Sequence, residues 1–200
     1  MTEATVSKRA QATRAALLDA AAEVFAAAGY EGASMVAIAE RAGASIGSLY
    51  HHFAAKSELY TTVYHEYNRR QQHRSVQAFR RALAAGEQDA LRLFVAGARA
   101  YLEGCWQERK LSRLFLSGTG PAGFGLLSRE RFRGWLTANA TLVNGHTRPL
   151  SDMLVLSLTA MSTEAGLAVA GAPAKAAANR MIDEVLELMG RLYPVSWPSP

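Results

Sequence analysis

Two hundred residues, half of them hydrophobic and a fifth charged, have an ordinary globular balance that suits one large domain or two small ones. A formal net charge of +5 permits a polyanionic partner without identifying one, and a single cysteine, Cys105, excludes an intramolecular disulfide framework and fits a reducing cytoplasm. Abundant alanine with only 6 prolines favours helix throughout, so the predicted class is all-α.

Residues 1–10 are polar and read as a mobile arm, with no apolar run of the kind a signal peptide needs. From Thr13 to Ala28, Leu17, Leu18, Ala21, Val24, Phe25 and Ala28 recur at helical spacing, and Gly29 supplies a stop. A short helix is predicted from Met35 to Ala42 with Ser34 as its N-cap, and Gly43-Ala44 breaks it. Ser45 then caps a second short helix, Ile46 to His52. Two short helices behind a longer one, joined by a tight glycine-containing turn, are the helix-turn-helix layout.

Downstream, a long helix is predicted over Lys56–Ala84, spanning roughly 40 Å at its ordinary rise. Further helices are expected over 88–107 and 111–116, followed by a loop at 117–125. The next is expected over 126–143, with a break at 144–148. Pro149 suits the first turn of a helix reaching Ala170, and the last helix follows Pro173 and runs to Tyr193, before the tail Pro194–Pro200. The apolar stretch Met153–Ala172 holds Glu164 and small polar residues, so it reads as a buried helix and no membrane partner is expected.

The second short helix carries the chemistry. It is too short to be stable alone, so Ile38, Leu49 and Phe53 must plug a small core against Leu18 and Phe25, while the small Ala39, Ala42 and Gly43 let the helices approach. Ile46, Gly47, Ser48, Tyr50, His51 and His52 are then free to meet a ligand. Gly47 costs about 1 kcal/mol against alanine in a helix, which a close approach of the backbone to DNA would explain. Ser48 suits base edges or phosphates, Ile46 a thymine methyl, and Ser34 with its helix N-terminus a phosphate. Tyr50 and Phe53 also have an alternative as core aromatics, and the two histidines as solvated surface. Residues 1–56 carry five cations and five carboxylates, so the excess charge lies further on, at Arg69, Arg70, Arg74, Arg80 and Arg81. That cluster reads as a solvated or ion-paired face.

The segment Leu17–Val63 resembles the N-terminal domain of the TetR (tetracycline-repressor-like) family. Ala22 and Phe25, Gly29-Tyr30, Ile38-Ala39, Ala42-Gly43 and the run Ser45-x-Gly47-Ser48-Leu49-Tyr50-x-His52-Phe53-x-x-Lys56 carry the resemblance, over about a quarter of the chain. It implies a helix-turn-helix domain over 1–55 and a helical effector-binding and dimerisation domain over 56–200. The implied function is a cytoplasmic, repressor-type regulator that binds a palindromic double-stranded operator as a homodimer. By this resemblance Ser34, Ser45, Ile46, Gly47, Ser48, Tyr50, His51, His52 and Lys56 meet DNA, with Tyr50, His52 and Lys56 on phosphates, and Lys8, Arg9 and Arg14 assist from the arm. Two departures, Ala55 in place of a capping residue and Ala37 in place of an acidic one, soften the junction.

The resemblance also implies a pocket for a small, largely apolar effector, with candidate lining from Tyr64, Tyr67, Phe94, Tyr101, Cys105, Trp106, Phe115, Phe124, Trp135 and Met161. The dimer it implies is made by the last two long helices, through Leu154, Leu158, Met161, Ala165 and Val169 on one and Ile182, Val185 and Met189 on the other. Small residues Ser157, Ser162, Ala165 and Gly166 would permit close contacts there. No metal, cofactor or catalytic set is expected, since Cys105 has no sequence partner, His65 and His73 have no companion ligands, and no phosphate-binding loop follows a strand. Two other readings fit the same residues: a helix-turn-helix adaptor that binds protein, and a DNA-binding factor without an effector.

Overall fold

The computed structural model describes residues 3–147 and 149–192, and among them nine helices and no strand. The expected end of the last helix at Tyr193 and the tail beyond it lie outside the described residues. The first helix, α1, spans Glu3–Gly32, so it begins ten residues before the predicted Thr13 and incorporates most of the expected arm. Gly29, at φ 71° and ψ −179°, interrupts it where the stop was expected. Leu17, Ala20, Ala21 and Phe25 form its buried face, and Leu18, expected in the core, is only half-buried beside them.

Helices α2 (Met35–Arg41) and α3 (Ile46–His52) follow, each with its serine cap in place. The long α4 covers Lys56–Ala84. Ala55 provides no side-chain cap, as its residue type dictates, and the Glu58 carboxylate reaches back to accept from the Ala54 N–H at 2.8 Å instead. Then come α5 (Ala90–Gln107), α6 (Arg109–Leu116), α7 (Phe124–Val143), α8 (Asp152–Gly171) and α9 (Lys175–Arg191). Pro149 does not enter the first turn of α8, because Ser151 caps that helix by accepting from the Leu154 N–H, leaving the proline in the connection.

Two apolar cores result, and α4 belongs to both. The first joins α1, α2 and α3 to Leu59, Tyr60, Val63, Tyr64 and Tyr67 of α4, and also to Leu111, Leu114 and Phe115 of α6 and Phe124 of α7. The helix-turn-helix core therefore does not close at residue 55. The second gathers Phe79 of α4 with α5, α8, α9 and the end of α7. Glu108, between α5 and α6, accepts from Arg70 Nε at 3.0 Å and Nη2 at 2.6 Å, and pairs with Arg74 as well. This locks the middle of α4 to the α5–α6 corner. Arg69 pairs with Glu66, so these members of the arginine cluster are ion-paired as expected.

Helix α8 is the one helix among the described residues long and apolar enough to cross a membrane. It packs against α5, α6, α7 and α9, and its apolar character extends around most of its circumference.

Candidate nucleic-acid interface and ligand cavity

Helix α3 is held from below. Leu49 is fully buried and Phe53, its C-cap, is the fully buried end residue, so Phe53 is a core aromatic. Seven residues at 100° per residue put Gly47 and His51 on the side opposite Leu49 and Tyr50 at its flank. All three are exposed, with Tyr50 at 52%, so its reading as a core aromatic is set aside. Ile46 at the first turn is 40% exposed, and Ser48 and His52 are half-buried on the flanks. From Ala42 to Ser57 the chain contains no carboxylate, so this surface is locally free of negative charge although residues 1–56 sum to zero.

Both caps are committed locally. Ser34 Oγ accepts from the Ala37 N–H and Ser45 Oγ from the Ser48 N–H, each at 3.1 Å. Each hydroxyl keeps its O–H for an outside acceptor. One exposed apolar residue was missed by the sequence reading. Val36, on the first turn of α2, is 54% exposed while Met35, Ile38 and Ala39 beside it are buried. The signal was available, since Val36 falls off the apolar stripe of its own helix.

Gly47 can be tested sterically. A Cβ there would meet nothing nearer than Ser45 Oγ at 3.9 Å. Nothing inside the chain requires glycine at this helical position, so its cost is not explained by folding.

Lys56 is engaged inside the fold. Its ammonium donates to the Ala33 carbonyl at 3.1 Å and the Glu31 carbonyl at 3.3 Å, and lies 4.5 Å from the Tyr30 ring centroid. It thus clamps the start of α4 to the C-terminal end of α1, where a cation is favoured. One N–H remains for an outside partner. Lys56→Met will lower unfolding free energy by about 1–2 kcal/mol in urea titration; unchanged stability would mean that these bonds contribute nothing. Arg14 is likewise occupied, with its guanidinium 5.1 Å from the Phe53 centroid, while Lys8 and Arg9 are exposed on α1.

The effector candidates separate into two places. Tyr64, Tyr67, Phe115 and Phe124 form the aromatic lower core: Tyr64 lies 5.2 Å from Phe115 and 4.9 Å from Phe124, and Tyr67 donates to Ser112 Oγ at 2.8 Å. Phe94, Tyr101 and Trp135 instead line a small, partly open cavity of about 20 Å³ in the upper core, between α4, α5, α7 and α8. That volume admits about one water molecule. Met161 and Trp106 pack half-buried at the edge of the upper core without lining the cavity, and Arg109 covers the Trp106 ring at 4.1 Å. Cys105 is fully buried, and desolvation pushes its thiol up to about 11, so it is a small apolar residue rather than a nucleophile.

The dimer candidates divide too. Leu158, Val169, Ile182 and Met189 are 0–1% exposed inside one chain, so they cannot form an interface between copies. Leu154, Met161, Ala165 and Val185 are half-buried. Of the small residues, Ser162 and Gly166 face inward; a Cβ on Gly166 would stand 3.0 Å from Cys105 Sγ. The outer face of α8 instead presents Met153, 68% exposed, with Leu156, Ala160 and Leu167 half-buried, and α9 adds Leu188 at 51%.

Residues 17–63 match the family model for bacterial regulatory proteins of the tetR family. Over 50 residues the chain is 54% identical to the HTH-type transcriptional activator FasR of Mycolicibacterium smegmatis, and over 54 residues 44% identical to the HTH-type transcriptional regulator UidR of Escherichia coli. These alignments cover 25% and 27% of this chain, and 23% and 28% of the two relatives. The chain thus spans about a quarter of the length of the curated relatives it matches. Across the fold, a transcriptional regulator from Rhodococcus sp. RHA1 superposes with a TM-score of 0.71 at 24% identity, over 89% of this chain and 94% of that one. The fatty acid degradation regulator FadR from Bacillus halodurans gives 0.67 at 17% identity, over 87% and 96%. The N-terminal segment is thus similar to TetR-family helix-turn-helix domains, and the chain as a whole shares the fold of these solved structures.

Proposed function

We propose that this chain, with a TetR-family domain at residues 17–63 and a fold shared with transcriptional regulators, controls transcription by binding an operator as a homodimer and releasing it when a small, largely apolar effector binds. It is a binding protein, not an enzyme. The observation that carries the reading is Gly47, a glycine on the exposed side of α3 with no steric reason inside the chain to be one. A glycine there lets a phosphodiester backbone or base edge approach the helix, at up to about 1 kcal/mol of helix stability.

Around it, Ile46, Ser48 and Tyr50 supply the contacts that read or grip the duplex, with Ser34, Ser45, His51, His52 and the spare Lys56 donor for phosphates. Two copies paired through the outer faces of α8 and α9 would set two α3 helices about 34–36 Å apart, one turn of duplex, on a near-palindromic site. The apolar Met153, Leu156, Ala160, Leu167 and Leu188 support that pairing, because apolar residues left open by their own chain call for a cover, with the exposed Glu164 among them on the outer face of α8. The α4 helix, shared by both cores, is the rigid body through which effector binding would change the tilt of α3. The relative that is 54% identical over 50 residues is an activator, whereas repression is the reading proposed for this chain.

The test is selection of a duplex from random sequence, then gel shift across salt concentrations with the native chain and Gly47→Ala. Two chains per duplex are expected, with affinity falling by roughly 0.9 log units per log unit of salt for each phosphate neutralised. Gly47→Ala will raise the melting temperature and weaken duplex binding together. Salt-insensitive or absent duplex affinity would favour a protein-binding adaptor instead. Equal duplex affinity in both proteins would remove Gly47 from the interface.

A further inference from the structure

The cavity of the upper core has a chemical character that narrows its ligand. Its walls are aromatic on three sides, from Phe79 of α4, Phe94 of α5 and Trp135 of α7. Its polar groups are uncharged: Ser75, Tyr101, Asn139, Thr159 and Ser162. Among the described residues, no side chain lining it bears a formal charge. Of the arginines along α4, Arg70 and Arg74 are engaged by Glu108, and Arg80 and Arg81, next to the lining Phe79, are exposed to solvent.

Two buried polar side chains are under-satisfied among the described residues: Tyr101, which lines this space, and Gln71, which packs against Gly104. The Tyr101 hydroxyl has only the weakly bonding Cys105 thiol beside it, and neither end of the Gln71 amide has a partner. Gln71 lies one turn along α4 from the cavity-lining Ser75. Glycines make room for both groups. A Cβ on Gly104 would come within 2.3 Å of Gln71 Oε1, and one on Gly166 within 3.1 Å of the Tyr101 oxygen. Burying such groups unpaired is costly, and a leucine and a phenylalanine would avoid the cost. Retaining an amide that both donates and accepts, and a phenol beside it, points to a ligand that completes them.

Helix α7 is the wall able to yield. Of its 20 residues only Phe124 and Val143, its two ends, are buried. Between those ends it is held by the edge-on Tyr101–Trp135 contact, 4.6 Å between centroids, and by three side-chain hydrogen bonds: Tyr64–Ser128 at 3.3 Å, Arg131 Nη2 to Gln72 Oε1 at 3.0 Å and Asn139 Nδ2 to Thr159 Oγ1 at 3.0 Å. A segment with so few buried contacts opens at low free energy.

We infer that outward movement of α7 opens this cavity to an uncharged aromatic molecule with one group that both donates and accepts hydrogen bonds, as in phenols and primary benzamides, and that Gln71 and Tyr101 bind that group. The inference rests on the effector-responsive reading above and names the chemistry of its effector. Carboxylate and ammonium congeners are excluded, since no counter-charge meets them in the apolar interior.

The experiment is isothermal titration calorimetry of the full chain with 4-ethylphenol, benzamide, benzoate, benzylammonium and decanoate, alongside duplex binding. The two neutral aromatics will bind and raise the melting temperature, and the two charged aromatics will bind at least about a hundredfold more weakly. Gln71→Met, which removes the unpaired amide at similar volume, will leave the free protein as stable or more so and weaken benzamide about tenfold. Tyr101→Phe will weaken both neutral probes by a similar factor. Equal binding of a charged congener, binding of decanoate alone, or full affinity in both variants overturns the assignment. Salt-dependent duplex binding with no probe bound overturns it too, and leaves the regulator reading intact. Probe binding without duplex affinity supports the cavity chemistry and removes the regulator reading.

Discussion

Replacing Tyr60 with alanine will cost about 3–5 kcal/mol of folding free energy and lower the melting temperature by roughly 10 °C, the largest loss expected from any single change in the lower core. Tyr60 is fully buried on the second turn of α4. Its ring lies 5.0 Å from Phe25, 5.1 Å from Tyr30 and 5.3 Å from each of Phe115 and Phe124, mostly edge to face, the arrangement that aromatic quadrupoles prefer. One side chain therefore joins the end of α1 to α6 and the start of α7. Its hydroxyl donates to the Thr119 carbonyl at 2.6 Å, and burial raises its pKa well beyond the ordinary phenol range, so it remains a neutral donor. Tyr60→Phe keeps the rings and strands only that carbonyl, so about 1–2 kcal/mol is expected. Urea unfolding of both variants separates the two contributions. A Tyr60→Ala protein within about 1 kcal/mol of the native one would show that the cluster relaxes freely around the hole.

The second large effect is on binding and not on folding. Ser48→Ala with Tyr50→Ala will reduce affinity for the selected duplex by about a hundredfold or more, with the melting temperature within about 2 °C of native. Each side chain lies on α3 away from Leu49, and Tyr50 is half exposed, so little apolar burial is lost. The Ser48 backbone N–H still donates to Ser45 Oγ after the change, so the cap persists. Fluorescence anisotropy at fixed salt and differential scanning calorimetry on the same preparation measure the two quantities. Loss of affinity in step with loss of stability would assign both residues to the scaffold instead.

The sequence was most legible where local chemistry decides. Lys56–Ala84 was bounded correctly because a long apolar periodicity ends at Ala85-Gly86, and the caps Ser34 and Ser45 were legible because serine before a short apolar run has one common use. The outward face of α3 followed from Leu49 and Phe53 needing a core. It was least legible where a tertiary partner decides. Helix α8 is apolar nearly all round, so its sequence contains stripes facing both ways, and the one read as an interface through Leu158 and Val169 is the one its own chain covers. Leu17 and Leu18 are neighbours of equal hydrophobicity, and only the placement of α4 and α6 buries the first more deeply than the second. The pairing of Gln71 with Gly104 was not legible, because the two residues are adjacent only once α4 lies against α5. Nor was the engagement of Lys56, since its acceptors are carbonyls, which carry no residue identity.

The core that runs from α1 through Tyr60 to Phe115 and Phe124 bears on how such proteins can be recombined. A chimera that exchanges reading heads between regulators at residue 55 cuts through a continuous set of aromatic contacts, leaving Phe25 and Tyr30 facing a foreign α4 and α6. Heads from this chain are portable only together with the residues that meet Tyr60, so, under the function proposed above, new duplex specificity is more readily introduced by changing the exposed side chains of α3 in place than by grafting the module whole.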